Sequence, residues 1–214
     1  VAATGDEALL AEAAPRLRQE YHFWTTARHT GSGLQRHGHH DTDAGCARFY
    51  DGALVRRLGL RADAPLDERV RVGGHHLAEA ETGWDFCPRF AGRCLDFNPV
   101  DLNALLYTYE VFLGEHARDL GWDAAALWQE RAQARRERVQ ALLWDEAQGW
   151  FLDYDHVHAC RGAVPSLAGL MPLFTGLATP AQAARVAAGL AACERAHGVA
   201  VTPDLPQCRG YQWA

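Results

Sequence analysis

The residues Gly83, Trp84, Asp85 and Phe86 place one carboxylate between two aromatic side chains, directly after a glycine. Apolar rings reduce the hydration of a carboxylate and so favour its protonated form. A carboxyl group that holds its proton near neutral pH can act as a general acid. The same residues also fit a structural role, in which Asp85 caps a turn beside two core aromatic residues. The spacing alone leaves both interpretations open.

A strong helix signal follows this stretch. Asn98 suits the N-cap, Pro99 suits the first helical position, and Asp101 places a negative charge in the first turn. Apolar residues then recur at helical spacing at Leu102, Leu105, Leu106 and Tyr109, and at Phe112 or Leu113. Because this helix is apolar almost all round, we expect it to be buried.

Further helices are indicated on either side. A capping box at Thr4–Glu7 predicts an N-terminal helix to about His29, bent or split at Pro15. A helix capped by Asp123 has a charged face that includes Arg135 and Arg138, so we expect it on the outside. A buried helix from about Ser166 to Leu177, kinked at Pro172, and an outer helix capped by Thr179 follow.

Between these helices, residues 144–155 (WDEAQGWFLDYD) predict a short β-hairpin with Gly149 near its turn. The rest of the chain shows no alternation of strands and helices, so a parallel sheet is not expected. The pattern predicts an all-α fold class with a short β-hairpin insert.

Residues 30–47 form a polar loop or insertion that is rich in histidine and glycine. His37, His39 and His40 lie close to Asp41 and Asp43, which are residue types that bind metals. No helix or strand is predicted that would hold the imidazoles in place. We therefore expect a solvated loop and no specific metal site.

Composition excludes several kinds of function. All 21 residues in the combined lysine and arginine count are arginines, so Schiff-base chemistry and a P-loop lysine are excluded. The net charge of −6 gives no reason to expect nucleic acid or an anionic membrane as a partner, and no apolar run approaches a membrane span.

Six cysteines allow 15 disulfide pairings and form no CxxC pair, and we favour free thiols. A cytoplasmic location is thereby favoured over a periplasmic one, while the oligomeric state stays open.

Two segments together resemble one enzyme family. Glu81–Phe86 with Pro88–Phe90, followed by PVDLNALLY at residues 99–107, is similar to the central block of the trehalase family of glycoside hydrolases, which reads close to ESGWDFSSRW and then PVDLNALLY. The stretch EAAPRLRQEYHFW resembles the family's P-x-L-x-x-E-Y-x-F-W helix. The final GYQWA resembles the start of its GQQWDxPNGWxP motif, with Gln212 and Trp213 in register and Ala214 where Asp is usual.

One segment departs from the family. Arg48–Asp51 resembles the family's RYWD-like segment, but the Arg-Pro-Glu run that usually follows and holds the sugar is absent. Residues 64–69 read APLDER instead. The departure affects part of the expected substrate pocket and leaves the exact sugar open.

The resemblance implies a fold and a mechanism. Residues 1–214 would form a single partial catalytic domain, about half to two-thirds of an (α/α)6 toroid of the six-hairpin glycosidases. Asp85 would be the general acid, and the base would be a glutamate beyond Ala214. Gly83, Trp84, Arg89, Gln212 and Trp213 would contact the substrate.

The expected activity is hydrolysis of α,α-trehalose to two glucoses with inversion, with no metal or organic cofactor and a small disaccharide as the partner. Because the expected base lies outside the chain, we expect residues 1–214 alone to be inactive. Two alternatives stay open: a related toroid glycosidase for another small glucoside, and a non-catalytic helical fragment that binds a sugar or a partner.

Overall fold

The computed structural model describes residues 6–121 and 125–211. The fold is mostly helical, and very short strands lie between the helices. The helices are α1 (Glu7–Ala27), α2 (Asp43–Phe49), α3 (Val55–Leu58), α4 (Leu66–Glu81), α5 (Val100–His116), α6 (Ala125–Leu142), α7 (Met171–Phe174) and α8 (Pro180–Gly189). The strands are β1 (Phe97–Asn98), β2 (Trp144–Asp145), β3 (Trp150–Phe151), β4 (Tyr154–Asp155), β5 (Cys160–Arg161), β6 (Glu194–Arg195) and β7 (Gly198–Val199).

Helix α5 is the central element of the core. It packs against α6, α1 and α7, while α2 packs against α4. The largest apolar cluster joins α5 and α6 to the hairpin and α8 through residues such as Tyr107, Val139, Trp150 and Val186. The segment between α4 and α5, which contains Asp85, therefore connects two sets of packed helices.

The predicted burial of α5 is confirmed for most of its residues, but two side chains differ from the expectation. Leu105 is 43% exposed, and Arg135 on α6 is only 4% exposed. Arg135 is buried because its guanidinium pairs with the buried Glu110 carboxylate of α5 at 2.8 Å. Arg138 is exposed, as predicted for the outer face of α6.

The start of α1 differs from the sequence prediction. Helix α1 begins at Glu7, and its N-cap is Asp6, whose Oδ1 accepts the Leu9 N–H at 2.9 Å. Thr4 lies outside the described residues, as does Asp123, the predicted cap of α6. Helix α1 continues through Pro15 without a break.

Asn98 is not the N-cap of α5, which was the prediction. It lies in β1, and its side-chain amide donates to the Gln35 carbonyl at 3.1 Å. The carboxylate of Asp153 satisfies the start of α5 instead, because its Oδ1 accepts the Val100 N–H at 2.9 Å. A residue 53 positions away thus takes the place of a local cap.

The predicted hairpin is confirmed, because β2 pairs antiparallel with β3 and Trp144 faces Phe151. Gly149 adopts a left-handed φ of +66° in its turn. The predicted helix over residues 166–177 is a 3-10 turn at Leu167–Leu170 followed by the short α7. Pro172 lies in the first turn of α7, where a missing N–H costs least.

The polar segment 30–47 is more enclosed than the sequence predicts. Leu34, Gln35 and His37 are buried. Thr42 caps α2 by accepting the Gly45 N–H, so residues 43–47 are helical.

No helix among the described residues has the length and apolar character needed to cross a membrane.

Candidate active site

The acid loop, residues 82–87, follows directly after α4. The Thr82 hydroxyl accepts the Trp84 N–H at 2.9 Å and donates to the Glu79 carbonyl at 2.7 Å. At the other end of the loop, Glu79 Oε1 accepts the Cys87 N–H at 2.8 Å. The last turn of α4 therefore holds the backbone of the acid loop from both sides.

Left-handed backbone conformations turn this loop. Gly83 has a φ of +77° and Phe86 a φ of +57°. The left-handed region is costly for a residue with a side chain and is easily reached by glycine. Beyond the adjoining residues, no atom lies within 4 Å of the position that a Cβ on Gly83 would take, so a ligand can approach the backbone here.

Asp85 is half-buried and lines a cavity of about 380 Å3, the Asp85 cavity. The walls include Phe86, Arg57 and His76. Within the described ranges, Asp85 is the one carboxylate that lines this cavity, and no hydrogen bond or ion pair involves its side chain. The carboxyl group is therefore free to meet a ligand.

Trp84 lies on a different surface from Asp85. It lines a cleft of about 290 Å3, the Trp84 cleft, together with Trp24 and Tyr109. The two rings that flank Asp85 in sequence thus do not enclose it together. Phe86 shares the Asp85 cavity, while the Trp84 ring lies 5.5 Å from the guanidinium of Arg89.

Arg89 is fully buried in an ion-pair network. Its Nε and Nη2 donate to Asp153 at 3.0 and 2.8 Å, and Nη1 and Nη2 donate to Asp101 at 3.0 and 2.9 Å. Four of the five guanidinium hydrogens are thereby used. Burial raises the pKa of the Asp101 carboxyl, but the Arg89 charge outweighs burial and leaves that pKa below its ordinary value.

This geometry bears on the role of Arg89. A guanidinium with one remaining hydrogen and no solvent contact is well placed to neutralise two carboxylates and poorly placed to bind several sugar hydroxyls. The network also ties the segment after the acid loop to the start of α5, because Asp101 lies in the first turn of that helix. The contact of Arg89 with substrate stays a prediction.

Glu81, at the end of α4, joins the acid loop to segment 28–40. Its carboxylate accepts from Arg28 Nη2 at 2.8 Å and from the Gly38 N–H at 2.8 Å, and it lies 3.2 Å from His37 Nδ1. Burial opposes ionisation of Glu81, but these three partners outweigh it and lower its pKa to about 2. The sequence signal for this contact was the concentration of basic side chains in residues 28–40. The spacing of these residues did not indicate that Glu81 is the acidic residue with which they pair.

The three histidines of this segment lie in different environments. His37 faces Glu81, His39 lies 3.8 Å from the Cys46 sulfur, and His40 Nε2 lies 3.2 Å from Arg28 Nη2. Among the residues that the structure describes, no group of three or more His, Cys, Asp or Glu side chains is arranged to hold a metal ion.

His76 and Glu79 are site residues that sequence reasoning missed. Both are buried on α4, with His76 Nδ1 2.9 Å from Glu79 Oε2. The His76 ring stacks on Phe86 with centroids 5.9 Å apart. Their spacing of three residues on one helix face was the available signal.

Gln212 and Trp213, predicted to contact the substrate, lie outside the described residues.

The fold and the acid loop define a class of protein. Paired helices with short strands between them match solved structures of toroid glycosidases, so this chain has the fold of part of an (α/α)6 toroid. The family model for trehalase matches residues 1–213, and the chain belongs to the trehalase family.

Individual solved structures support this assignment. The neutral trehalase Nth1 from Saccharomyces cerevisiae is 25% identical, with a TM-score of 0.75 over 94% of this chain and 42% of the yeast chain. A mannosylglycerate hydrolase of family GH63 from Thermus thermophilus, in complex with glucose, is 21% identical, with a TM-score of 0.58 over 95% of this chain and 54% of that chain. The second likeness shows the fold alone. The chain spans less than half the length of the yeast enzyme.

Proposed function

We propose that this chain carries the general acid of a trehalase-like glycoside hydrolase, which cleaves α,α-trehalose to two glucoses with inversion. The observation that carries the proposal is the half-buried Asp85 carboxyl, free of protein partners among the described residues and open to a cavity, in a chain of the trehalase family. The GWDF context of Asp85 matches the family's acid motif.

In the proposed mechanism, the protonated Asp85 carboxyl donates its proton to the glycosidic oxygen as the bond from that oxygen to the anomeric carbon breaks. A water molecule attacks the anomeric carbon from the opposite face and gives up a proton to a second carboxylate. The products are two glucoses, one of which has inverted at its anomeric carbon. Gly83, Gln212 and Trp213 are proposed substrate contacts. Trp84 is a proposed contact through the Trp84 cleft, and Arg89 is a proposed contact only through its one remaining N–H.

The second carboxylate is not found in the Asp85 cavity within the described ranges. Glu110 is buried against Arg135 and Tyr21, and burial raises its pKa despite the arginine. Glu146 pairs with Arg185. We therefore propose that residues 1–214 alone do not turn over trehalose, because water activation needs a base that these carboxylates do not supply.

The test of the acid is Asp85→Asn in a version of the enzyme that hydrolyses trehalose. The variant should keep its fold and its sugar binding and lose most of kcat, on the order of 100-fold or more, because proton transfer to the leaving oxygen is lost. α-Glucosyl fluoride, whose leaving group needs no proton, should recover part of the lost rate. Asp119→Asn, an exposed carboxylate outside the cavity, is the matched control.

Two results would contradict this proposal. Full trehalose hydrolysis by Asp85→Asn would exclude Asp85 as the acid. Hydrolysis of trehalose by residues 1–214 alone would show that one of the carboxylates discussed above, or another within the chain, acts as the base.

A second candidate is a toroid glycosidase for another small glucoside. The absence of the Arg-Pro-Glu run supports it, because the residues that hold the sugar in the family are replaced here. A comparison of kcat/KM for trehalose with that for other small α-glucosides, all measured on the same enzyme, separates the two candidates. A sugar-binding protein without catalysis would bind these ligands and release no glucose from any of them.

A further inference from the structure

A second cavity adjoins the Asp85 cavity and is lined by arginines. This arginine cavity has a volume of about 510 Å3, and its walls include Arg57, Arg71, Arg93 and Arg209. Arg57 and His76 line both cavities, so the two spaces meet at these side chains. A ligand seated against Asp85 would reach the arginines by extending past Arg57.

The charge of this cavity is unbalanced. No carboxylate lines it within the described part of the chain, although the whole chain carries a net charge of −6. Two of the four guanidinium groups pair with carboxylates that do not line the cavity, and the other two repel one another unless an anion compensates them.

The partners of each arginine differ. Arg93 is held by Asp96 and Asp155 at 2.9 Å each, and Arg209 reaches Asp204 only at 3.5 Å with both side chains largely exposed. Arg57 lies over the Phe86 ring at 3.9 Å. Arg57 and Arg71 have no carboxylate partner within the described ranges. At least two guanidinium groups are thus available to an anion.

We propose that the two adjoining cavities bind a glucoside that carries an anionic group, with the sugar at Asp85 and the phosphate or carboxylate at Arg57 and Arg71. The planar guanidinium donates two parallel hydrogen bonds to either anion, and its charge is permanent. The cation–π contact with Phe86 holds the Arg57 guanidinium beside the acid loop. This inference rests on the proposed role of Asp85 and specifies the second candidate function, in which the substrate is a small glucoside other than trehalose.

Titration calorimetry tests the proposal on the purified protein. The probes are glucose, glucose 6-phosphate, glucuronate and inorganic phosphate. We expect glucose 6-phosphate or glucuronate to bind at least about tenfold more tightly than glucose, and the tighter of the two identifies the anion as phosphate or carboxylate. Arg71→Ala should remove most of this preference. Arg71→Lys, which keeps the charge without the forked geometry, should retain part of it.

Arg118→Ala is the matched control, since this exposed arginine follows α5 and lines neither cavity. It should bind all four probes as the unmodified protein does, and circular dichroism should show that both alanine variants are folded. Equal affinity for glucose and for both anionic sugars would overturn the proposal. Inorganic phosphate binding as tightly as glucose 6-phosphate would also overturn it, because the sugar would then contribute nothing. These binding results do not depend on hydrolysis, so they stand apart from the test of Asp85.

Discussion

Individual charges decide how the acid loop is held, and the charges on either side of it are paired. Arg89 is saturated by Asp101 and Asp153, and Glu81 is ionised and fixed to segment 28–40. Asp85 lies between these two networks in sequence and takes part in neither. The flanking groups are thus committed to structure, which leaves one carboxyl free for chemistry.

Glu81 gives a test at the residue scale. Its pKa falls from an ordinary 4.5 to about 2 in the folded protein. A lowered pKa stabilises the fold above the unfolded-state value, and that stabilisation is lost as the pH falls through the folded-state value. Glu81→Gln should therefore cost about 1–2 kcal/mol at pH 7, a range reduced for partial solvent exposure. The cost should shrink between about pH 5 and pH 2, as measured by urea unfolding.

Glu12→Gln is the control for this series, because Glu12 forms an exposed ion pair with Arg16 on α1. Its loss should cost less than about 0.5 kcal/mol at pH 7. A difference between Glu81→Gln and the unmodified protein that stays constant down to about pH 2 would show that the carboxylate charge is not what Arg28 and Gly38 bind.

At the scale of elements, local signals predicted local features well. The hairpin at Gly149 and the cap of α8 at Thr179 are confirmed, because turns and caps depend on a few neighbouring residues. The start of α5 was predicted incorrectly because Asp153, distant in sequence, provides the cap. Likewise, no periodicity in α6 could show that Arg135 turns inward to meet Glu110 on another helix.

The capping box of α8 gives a test at this scale. The Thr179 hydroxyl accepts the Gln182 N–H at 3.2 Å, and the Gln182 side chain accepts the Thr179 N–H at 2.9 Å. Thr179→Ala should lower the free energy of unfolding by about 1 kcal/mol, since the Gln182 N–H loses its acceptor and the reciprocal bond loses its support. Thr179→Ser keeps the hydroxyl and should cost clearly less. Equal urea midpoints for the two variants would show that the hydroxyl contributes nothing to the cap.

At the scale of the whole molecule, the toroid class followed from resemblance and from the order of helices, while the shape of the site did not. The sequence placed Trp84 and Phe86 on either side of Asp85 as neighbours. The left-handed φ values of Gly83 and Phe86 send the two rings toward different cavities. Such backbone turns depend on contacts made by side chains outside the turn. Here the Glu79 carboxylate accepts the Cys87 N–H, and the spacing of residues in the sequence does not show this hydrogen bond.

The reactivity of the six cysteine thiols depends on how the whole chain packs around them. All are unpaired in the structure, and Cys160 alone is exposed. Burial raises the pKa of Cys87 to about 12, which keeps its reactive thiolate form scarce. A thiol-specific reagent should therefore modify a single cysteine quickly in the native protein, and Cys160→Ser should abolish this fast phase. In denaturant without reductant, all six should react, and a smaller number would reveal a disulfide that contradicts this arrangement.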